Sequence, residues 1–226
     1  MNSLISVAID GPAGAGKSTI ARRVAAELGY LYVDTGAIYR TVGYHMSLMG
    51  IGPKDVDGIR RCIDDVNIEI RYGDDGLQHM ILNGADVTDQ IRTPEMSILA
   101  SGVAAQSCVR DYLLEMQRSL AAAHNVVMDG RDIGTVVLPD APVKIYLTAS
   151  EGVRADRRYQ ELIAKGQDVR YEDVYTDIVK RDQQDMNRPI APLRCADDAV
   201  VVDSSNLSVD QVVAEIKAII RKKAEA

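Results

Sequence analysis

The chain has 226 residues, of which 46% are hydrophobic and 26% are charged, values typical of a globular protein with a sizeable core. Its formal net charge of −7 argues against a nucleic-acid polymer as the main partner, because such a partner requires a basic face. No apolar run approaches the length of a membrane span or a signal peptide, so we expect a cytoplasmic protein without a membrane partner.

Five short apolar runs, most of them separated by helical patterns, predict an α/β domain with a five-stranded parallel sheet. A near-continuous apolar run is typical of a strand that is buried on both faces, as strands are in a parallel sheet. The five runs are LISVAID (4–10), YLYVD (30–34), NVVMD (125–129), VKIYLTA (143–149) and AVVVDS (199–204).

The first and last helices have clear signals at their ends. Ile20, Val24 and Leu28 fall at helical spacing, and Gly29 ends that pattern. Ser208 and Gln211 form a capping box that predicts the start of the last helix, whose apolar positions all lie on one face.

Residues 66–88 interrupt the alternation of strands and helices. The stretch VNIEIRY alternates apolar and polar residues, a GDDG turn follows it, and the dipeptide NG at 83–84 joins LQHMIL to ADVT. These features predict a small antiparallel meander inserted into the parallel core. Because so small a meander buries little surface alone, we expect it to pack against the main domain.

Residues 11–18 match the phosphate-binding pattern G-x-x-x-x-G-K-[ST] in full, between a predicted strand and a predicted helix. Glycines in this motif let backbone N–H groups point at phosphate oxygens, and the helix N-terminus adds its positive end. Lys17 is expected to reach the β- and γ-phosphates, and the Ser18 hydroxyl to bind Mg²⁺. The residues expected to bind ATP are Gly11, Pro12, Ala13, Gly14, Ala15, Gly16, Lys17, Ser18 and Thr19.

The phosphate loop does not identify the acceptor, because GTPases, ATPases and small-molecule kinases share it. The N-K-x-D motif with which GTPases read their base is absent, and DVDG at 55–58 has no strand before it. Arg40 and Arg131 each follow a predicted strand, so they belong on the same rim of the sheet as the loop. Any one arginine could be a surface ion pair, but several together favour a second phosphorylated substrate.

Several segments taken together resemble the bacterial cytidylate kinases, a family of nucleoside monophosphate kinases. They include DGPAGAGKST, DTGAIYR, VVMDGRDIGTVV and KRDQQDMNRPIAPL, and the resemblance covers nearly the whole chain, insertion included. It implies a P-loop kinase fold and transfer of the γ-phosphoryl group of ATP to CMP or dCMP. The expected cofactor is Mg²⁺ bound with ATP, and the absence of a coiled-coil pattern makes a monomer the default.

The resemblance also implies roles for individual residues. Ser101, Arg110 and Asp132 would contact the hydrogen-bonding edge of cytosine. On one continuous helix, Ser101 and Arg110 would be half a turn out of phase, so we expect the helix to be interrupted near Ser107. Arg181 and Asp185 would bind the ribose, and Arg40, Arg131 and Arg188 the monophosphate. The implied acceptor set is Thr35, Arg40, Ser101, Arg110, Arg131, Asp132, Arg181, Asp185 and Arg188, and the implied catalytic set is Lys17, Arg131, Asp132, Arg157 and Arg158.

The expected organisation is a single P-loop kinase unit over residues 1–226. Within it, residues 36–110 would bind the monophosphate, with the antiparallel insertion at about 63–93, and residues at about 152–170 would form a helical lid. Asp129, at the end of the third core strand, is expected to hold Mg²⁺ through water. Two alternatives stay open at this point: a kinase for UMP, AMP or a small metabolite, and a nucleotide-binding switch without transferase activity.

Overall fold

A computed structural model describes residues 4–73 and 76–224. Its main sheet has five parallel strands in the order β2-β6-β1-β7-β8, and a separate antiparallel sheet has the order β3-β4-β5. The strands are β1 (Ser6–Asp10), β2 (Leu31–Asp34), β3 (Ile68–Tyr72), β4 (Gln78–Leu82), β5 (Ala85–Asp86), β6 (Val126–Gly130), β7 (Val143–Thr148) and β8 (Val200–Asp203). The predicted parallel sheet is confirmed, with each strand close to its apolar run.

Helices cover both faces of the parallel sheet and give the domain three layers. One hydrophobic cluster joins the sheet to the first and last helices, and the other joins it to the second and fifth helices and the meander. The helices are α1 (Lys17–Leu28), α2 (Thr35–Leu48), α3 (Val56–Cys62), α4 (Pro94–Val103), α5 (Ser107–Ala123), α6 (Glu151–Ala164), α7 (Tyr171–Asn187) and α8 (Val209–Ala224). Among the described residues, no helix combines the length and apolar content that crossing a membrane requires.

The predicted helix ends are confirmed by their hydrogen bonds. Gly29 adopts a left-handed conformation (φ 69°) and its N–H donates back to the last turn of α1. Before α8, the Ser208 N–H donates to Gln211 Oε1 (2.8 Å), and the Gln211 N–H donates to Ser208 Oγ (3.2 Å). The expected break between Ser101 and Arg110 is also present, because α4 ends at Val103 and α5 begins at Ser107.

The meander is present and packs against the main domain, as predicted. Asn83 and Gly84 both have positive φ (49° and 86°), which is the geometry of a two-residue hairpin turn between β4 and β5. Tyr72 donates its hydroxyl to the carbonyl of Tyr32, and the Asp34 N–H donates to Gln78 Oε1, both at 2.8 Å. Of the predicted GDDG turn, the two aspartates at 74 and 75 lie outside the described residues.

The end of α7 differs from the sequence-based expectation. The spacing of Arg181, Asp185 and Arg188, four and then three residues, predicts that they share one helix face, but α7 ends at Asn187 and Arg188 is extended (ψ 140°). The physical reason is Pro189, whose ring disfavours a helical conformation in the residue that precedes it. Arg188 therefore leaves the helix one residue earlier than its spacing indicates.

Candidate active site

The phosphate loop takes up all the residues between the end of β1 at Asp10 and the start of α1 at Lys17. Gly14 and Gly16 have positive φ (75° and 86°), which lets the backbone curl before α1 begins at Lys17. At Gly11 the constraint is steric, because a Cβ there would lie 2.0 Å from the carbonyl oxygen of Leu147 on β7. The motif thus has its expected strand-loop-helix context, and its glycines are required by the backbone path.

Lys17 is buried beneath the loop, with 6% of its surface exposed. Its Nζ donates to the carbonyl of Pro12 (2.7 Å). Burial lowers the pKa of Lys17 well below its ordinary value, and the nearby positive charge of Arg131 lowers it further. A bound polyphosphate would reverse that effect, because its negative charges favour the protonated amine.

Asp129, at the end of β6, receives three hydroxyl donors. Ser18 donates to its Oδ2 (2.8 Å), Tyr32 donates to its Oδ1 (2.9 Å), and Thr35 donates to its backbone carbonyl (2.7 Å). Burial, helped by the neighbouring charge of Asp34, raises the pKa of Asp129 to about 6. The structure therefore brings the two predicted metal-binding residues, Ser18 and Asp129, into direct contact.

Sequence reasoning missed Asp10, the last residue of β1. Its two carboxylate oxygens accept the N–H groups of Ile133 (2.8 Å) and Gly134 (2.7 Å), which begin a single π-helical turn over Ile133–Val137. This contact orients the segment that carries Asp132. Burial raises the pKa of Asp10 to about 6, although both N–H donors act in the opposite direction. The available signal was a carboxylate at the carboxyl end of a core strand, where ligand sites cluster.

The predicted arginines of the acceptor side gather around carboxylates. Arg131 Nε donates to Asp185 Oδ2 (2.7 Å), and Arg40 Nη2 donates to Asp34 Oδ2 (2.9 Å). Burial alone would raise the pKa of Asp185, but the charge and hydrogen bond of Arg131 outweigh it, and the net shift is downward. Asp34, which also caps α2, is a second strand-end carboxylate that sequence reasoning did not include.

This cluster carries positive charge that its carboxylates do not fully balance. The Nε atoms of Arg40 and Arg181 are buried and have no hydrogen-bond partner. Burial and the nearby charge of Arg131 together lower the pKa of Arg181 to about 10, and burial has the larger effect. A buried N–H donor of a guanidinium group costs free energy when it has no partner, so this cluster is suited to binding an anion.

Asp132 bridges two arginines from distant parts of the chain. It accepts a hydrogen bond from Arg110 at Oδ2 and another from Arg188 at Oδ1 (3.0 Å), and the side chains of both arginines are 8% exposed. The guanidinium of Arg110 also lies over the ring of Tyr39, 5.7 Å from its centroid. Ser101 lies near the end of α4 and is half-buried. The structure thus joins Asp132, Arg110 and Arg188 directly.

Arg157 and Arg158, which belong to the implied catalytic set and lie within the expected lid, make different contacts from α6. Arg157 donates to the hydroxyl (3.0 Å) and the carbonyl (2.6 Å) of Ser204, which follows β8. Arg158 pairs with Glu161 (2.9 Å), and its charge contributes to the lowered pKa of Arg181. Arg158 is therefore close to the acceptor cluster, whereas Arg157 is tied to the β8 side of the phosphate loop.

Comparisons with known proteins show the family of the chain. A model of the cytidylate kinase family matches residues 7–222. The chain is 51% identical over 217 residues to a cytidylate kinase of Carboxydothermus hydrogenoformans, covering 96% of this chain and 97% of that one. It is 47% identical over 220 residues to a cytidylate kinase of Geobacter sulfurreducens, covering 97% and 94% of the two chains.

Among solved structures, a gluconokinase from Sinorhizobium meliloti 1021 has a similar fold. The two chains superpose with a TM-score of 0.50 at 16% identity, over 100% of this chain and 96% of the other. At this level of identity, the likeness concerns the fold alone.

Proposed function

The chain belongs to the cytidylate kinase family, and on that premise we propose that it transfers the γ-phosphoryl group of ATP to CMP or dCMP. The observation that carries the proposal is the pair of anion sites on one rim of the sheet. One is the phosphate loop with Lys17, and the other is the half-buried cluster around Arg131 and Arg181. A kinase that joins two phosphorylated substrates requires both sites next to each other.

Transfer would be direct and in line. An oxygen of the acceptor monophosphate attacks the γ-phosphorus, the bond to the β,γ-bridging oxygen breaks, and that oxygen leaves with ADP. The attacking group is already a phosphate oxygen, so the reaction needs positioning and charge neutralisation rather than a strong base. Lys17 and Arg131 would neutralise the developing charge from the donor and acceptor sides, and Arg158 would join them from α6.

The residues present fit a nucleotide-bound Mg²⁺. The Ser18 hydroxyl and the Asp129 carboxylate are oxygen ligands of the kind that Mg²⁺ prefers, and they lie 2.8 Å apart. Ser18 would bind the ion directly and Asp129 through water. When bound, the ion would neutralise charge on the β- and γ-phosphates. Tyr32 would keep Asp129 oriented through its own hydrogen bond.

Recognition of the base would use Asp132, Arg110 and Ser101. A carboxylate or hydroxyl suits the N4 amino donor of cytosine, and a guanidinium suits its N3 and O2 acceptors. Uracil presents the reverse pattern at positions 3 and 4, so it would leave buried polar groups mispaired. Asp185 and Arg181 would bind the ribose, while Arg40, Arg131 and Arg188 would hold the monophosphate and Thr35 would support Asp129.

The regional assignments belong to the same proposal. Residues 36–110, including the insertion at about 63–93, would form the acceptor-binding region, and residues at about 152–170 would form a lid. Arg154 and Arg157 tie the first turns of α6 to the core, so closure would bring the part of the lid beyond them over the bound substrates. Closure would exclude water, so that ATP would not be hydrolysed in place of transfer.

A coupled ADP-release assay tests the function. Mg-ATP would be combined in parallel with CMP, dCMP, UMP, AMP, GMP or no acceptor. We expect fast release with CMP and dCMP, and little release with the other acceptors or with none. Faster release with another monophosphate would refute the base-reading set, and no release with any acceptor would refute the kinase.

A further inference from the structure

One arginine of α6 does not belong to the acceptor cluster. Arg154 is 3% exposed and forms an ion pair with Asp182 of α7, which is 4% exposed, and 2.6 Å separates Arg154 Nη1 from Asp182 Oδ2. Arg154 Nε also donates to the carbonyl of Ala149, the residue that follows β7 (2.9 Å). The pair therefore ties α6 and α7 to each other and to the edge of the core.

Both members of this pair also hold the same residue of the phosphate loop. Arg154 Nη1 donates to the carbonyl oxygen of Ala13 (2.8 Å), and the Ala13 N–H donates to Asp182 Oδ1 (3.3 Å). The next residue, Gly14, packs against the same arginine, since a Cβ there would lie 3.2 Å from Arg154 Cβ. The course of the loop at residues 13 and 14 is thus determined by side chains from two helices.

Stability alone is a poor explanation for this arrangement. The free energy lost on burying two charges is about as large as the free energy gained from their attraction. An apolar pair of similar volume often stabilises a fold as well or better. A charged pair does supply directional hydrogen bonds, and these can hold one backbone donor and one backbone acceptor at the same time. In this protein, both of those backbone groups belong to the loop that would bind the donor nucleotide.

We propose that Arg154 and Asp182 are positioning residues for the donor nucleotide. By holding both polar groups of Ala13, they keep the loop in the curled form in which its N–H groups converge on phosphate oxygens. Asp182 follows Arg181 directly in α7, so the helix that supplies acceptor residues also anchors the donor loop. The inference rests on the proposed binding of ATP at the phosphate loop, but not on the identity of the acceptor.

The test is the dissociation constant of Mg-ATP, measured by titration without any acceptor, for the full chain and three variants. Asp182→Asn removes the charge but keeps the shape, and Arg154→Lys keeps the charge but loses the forked donor geometry. Tyr175→Phe is the matched control, because the Tyr175 hydroxyl donates to Glu151 Oε2 (3.0 Å) and so joins the same two helices without contacting the loop.

We expect Asp182→Asn and Arg154→Lys to weaken Mg-ATP binding about tenfold or more, because each removes a charge-assisted contact to Ala13. Tyr175→Phe should stay within about twofold of the unaltered chain. In steady-state assays, KM for ATP should rise in both test variants while KM for CMP stays nearly constant. If the pair served only fold stability, the substitutions would lower the melting temperature without raising KM for ATP relative to KM for CMP.

The inference would be overturned by ATP affinities within about twofold of the unaltered chain in both test variants. It would equally be overturned by a parallel rise in KM for both substrates, which would indicate disturbance of the whole α6–α7 pair. If Asp182→Asn does not fold, Arg154→Lys decides the question alone. Failure of the proposed function has a different signature, in which the unaltered chain binds Mg-ATP but does not phosphorylate CMP.

Discussion

The donor and acceptor halves of the site are built in different ways. On the donor side, one continuous stretch forms the loop, and the polar groups beneath it are already paired, as in the Ser18–Asp129 contact. On the acceptor side, the arginines come from α2, α5, α7 and the end of β6, and two of their Nε atoms are buried without partners. The donor loop is therefore shaped by the fold itself, whereas the acceptor side carries positive charge that an anion would balance.

The two halves should therefore respond differently to mutation. Removing the charge of Lys17 from the donor side leaves the loop in place but without the charge that neutralises its ligand. Removing a charge from the acceptor side disturbs a network, because carboxylates such as Asp132 hold two arginines at once. Substitutions on the two sides should therefore change activity and substrate preference in different ways.

The largest expected effect is that of Lys17→Met on the donor side. The apolar side chain fills a similar volume in the buried site, so the fold should persist while the charge that faces the phosphates is lost. We expect kcat to fall on the order of 10²–10³-fold or more, with the circular dichroism spectrum and melting temperature nearly unchanged. Retained ADP release with CMP would refute the assignment of the phosphate loop.

Asp132→Ala is the corresponding test on the acceptor side. It leaves Arg110 and Arg188 without their shared partner and removes a proposed reader of the base. We expect kcat/KM for CMP to fall on the order of 10–100-fold, and the preference for CMP over UMP to narrow. Asp132→Asn is the control for shape. An unchanged ratio of kcat/KM for CMP and UMP would remove Asp132 from the base-reading set.

Asp10 lies beneath both halves, and its titration predicts a pH-dependent stability. Burial raises the pKa of Asp10 from 3.8 to about 6, so the folded state favours the protonated acid more than the unfolded state does. The contribution of Asp10 is therefore most favourable below about pH 4, and it declines as the pH rises through about 6, by about 3 kcal/mol at most.

Urea unfolding of the unaltered chain and of Asp10→Asn, measured from about pH 4 to about pH 8, would detect this decline. The variant should lose less stability across that range than the unaltered chain, because the side-chain amide that replaces the carboxyl group does not titrate. Asp129 has a pKa shifted in the same direction, so part of the slope should remain. Identical slopes in the two proteins would show that Asp10 does not titrate in this range.

The smallest expected effect lies at the exposed hairpin turn of the insertion. Gly84 has φ 86° in the hairpin turn, and a Cβ there would meet nothing within 4 Å. Gly84→Ala should therefore act only through backbone strain and lower the free energy of unfolding by about 1 kcal/mol. Activity with saturating CMP should be unaffected, and a large loss of activity would mean that the turn contributes to the acceptor site.

Much of the fold could be predicted because local patterns dictate local structure. Apolar runs predicted the five parallel strands, and the spacing of glycine, lysine and serine predicted the loop and the start of α1. The Ser208–Gln211 capping box and the Asn83-Gly84 turn could be predicted from the sequence in the same way. In each case the decisive interactions join residues only a few positions apart, so the residue types and their spacing carry the information.

The contacts that complete the site join residues far apart in the chain, so they arise only when the chain folds. Asp10 supports the N–H of Ile133 across 123 positions, and Asp182 holds Ala13 across 169. Spacing cannot reveal such pairs, because they depend on how layers pack and on which charges are buried together. The sequence alone determined the parallel core, the phosphate loop and the candidate arginines, whereas packing decided which carboxylate each arginine meets and which arginines keep a buried donor unpaired.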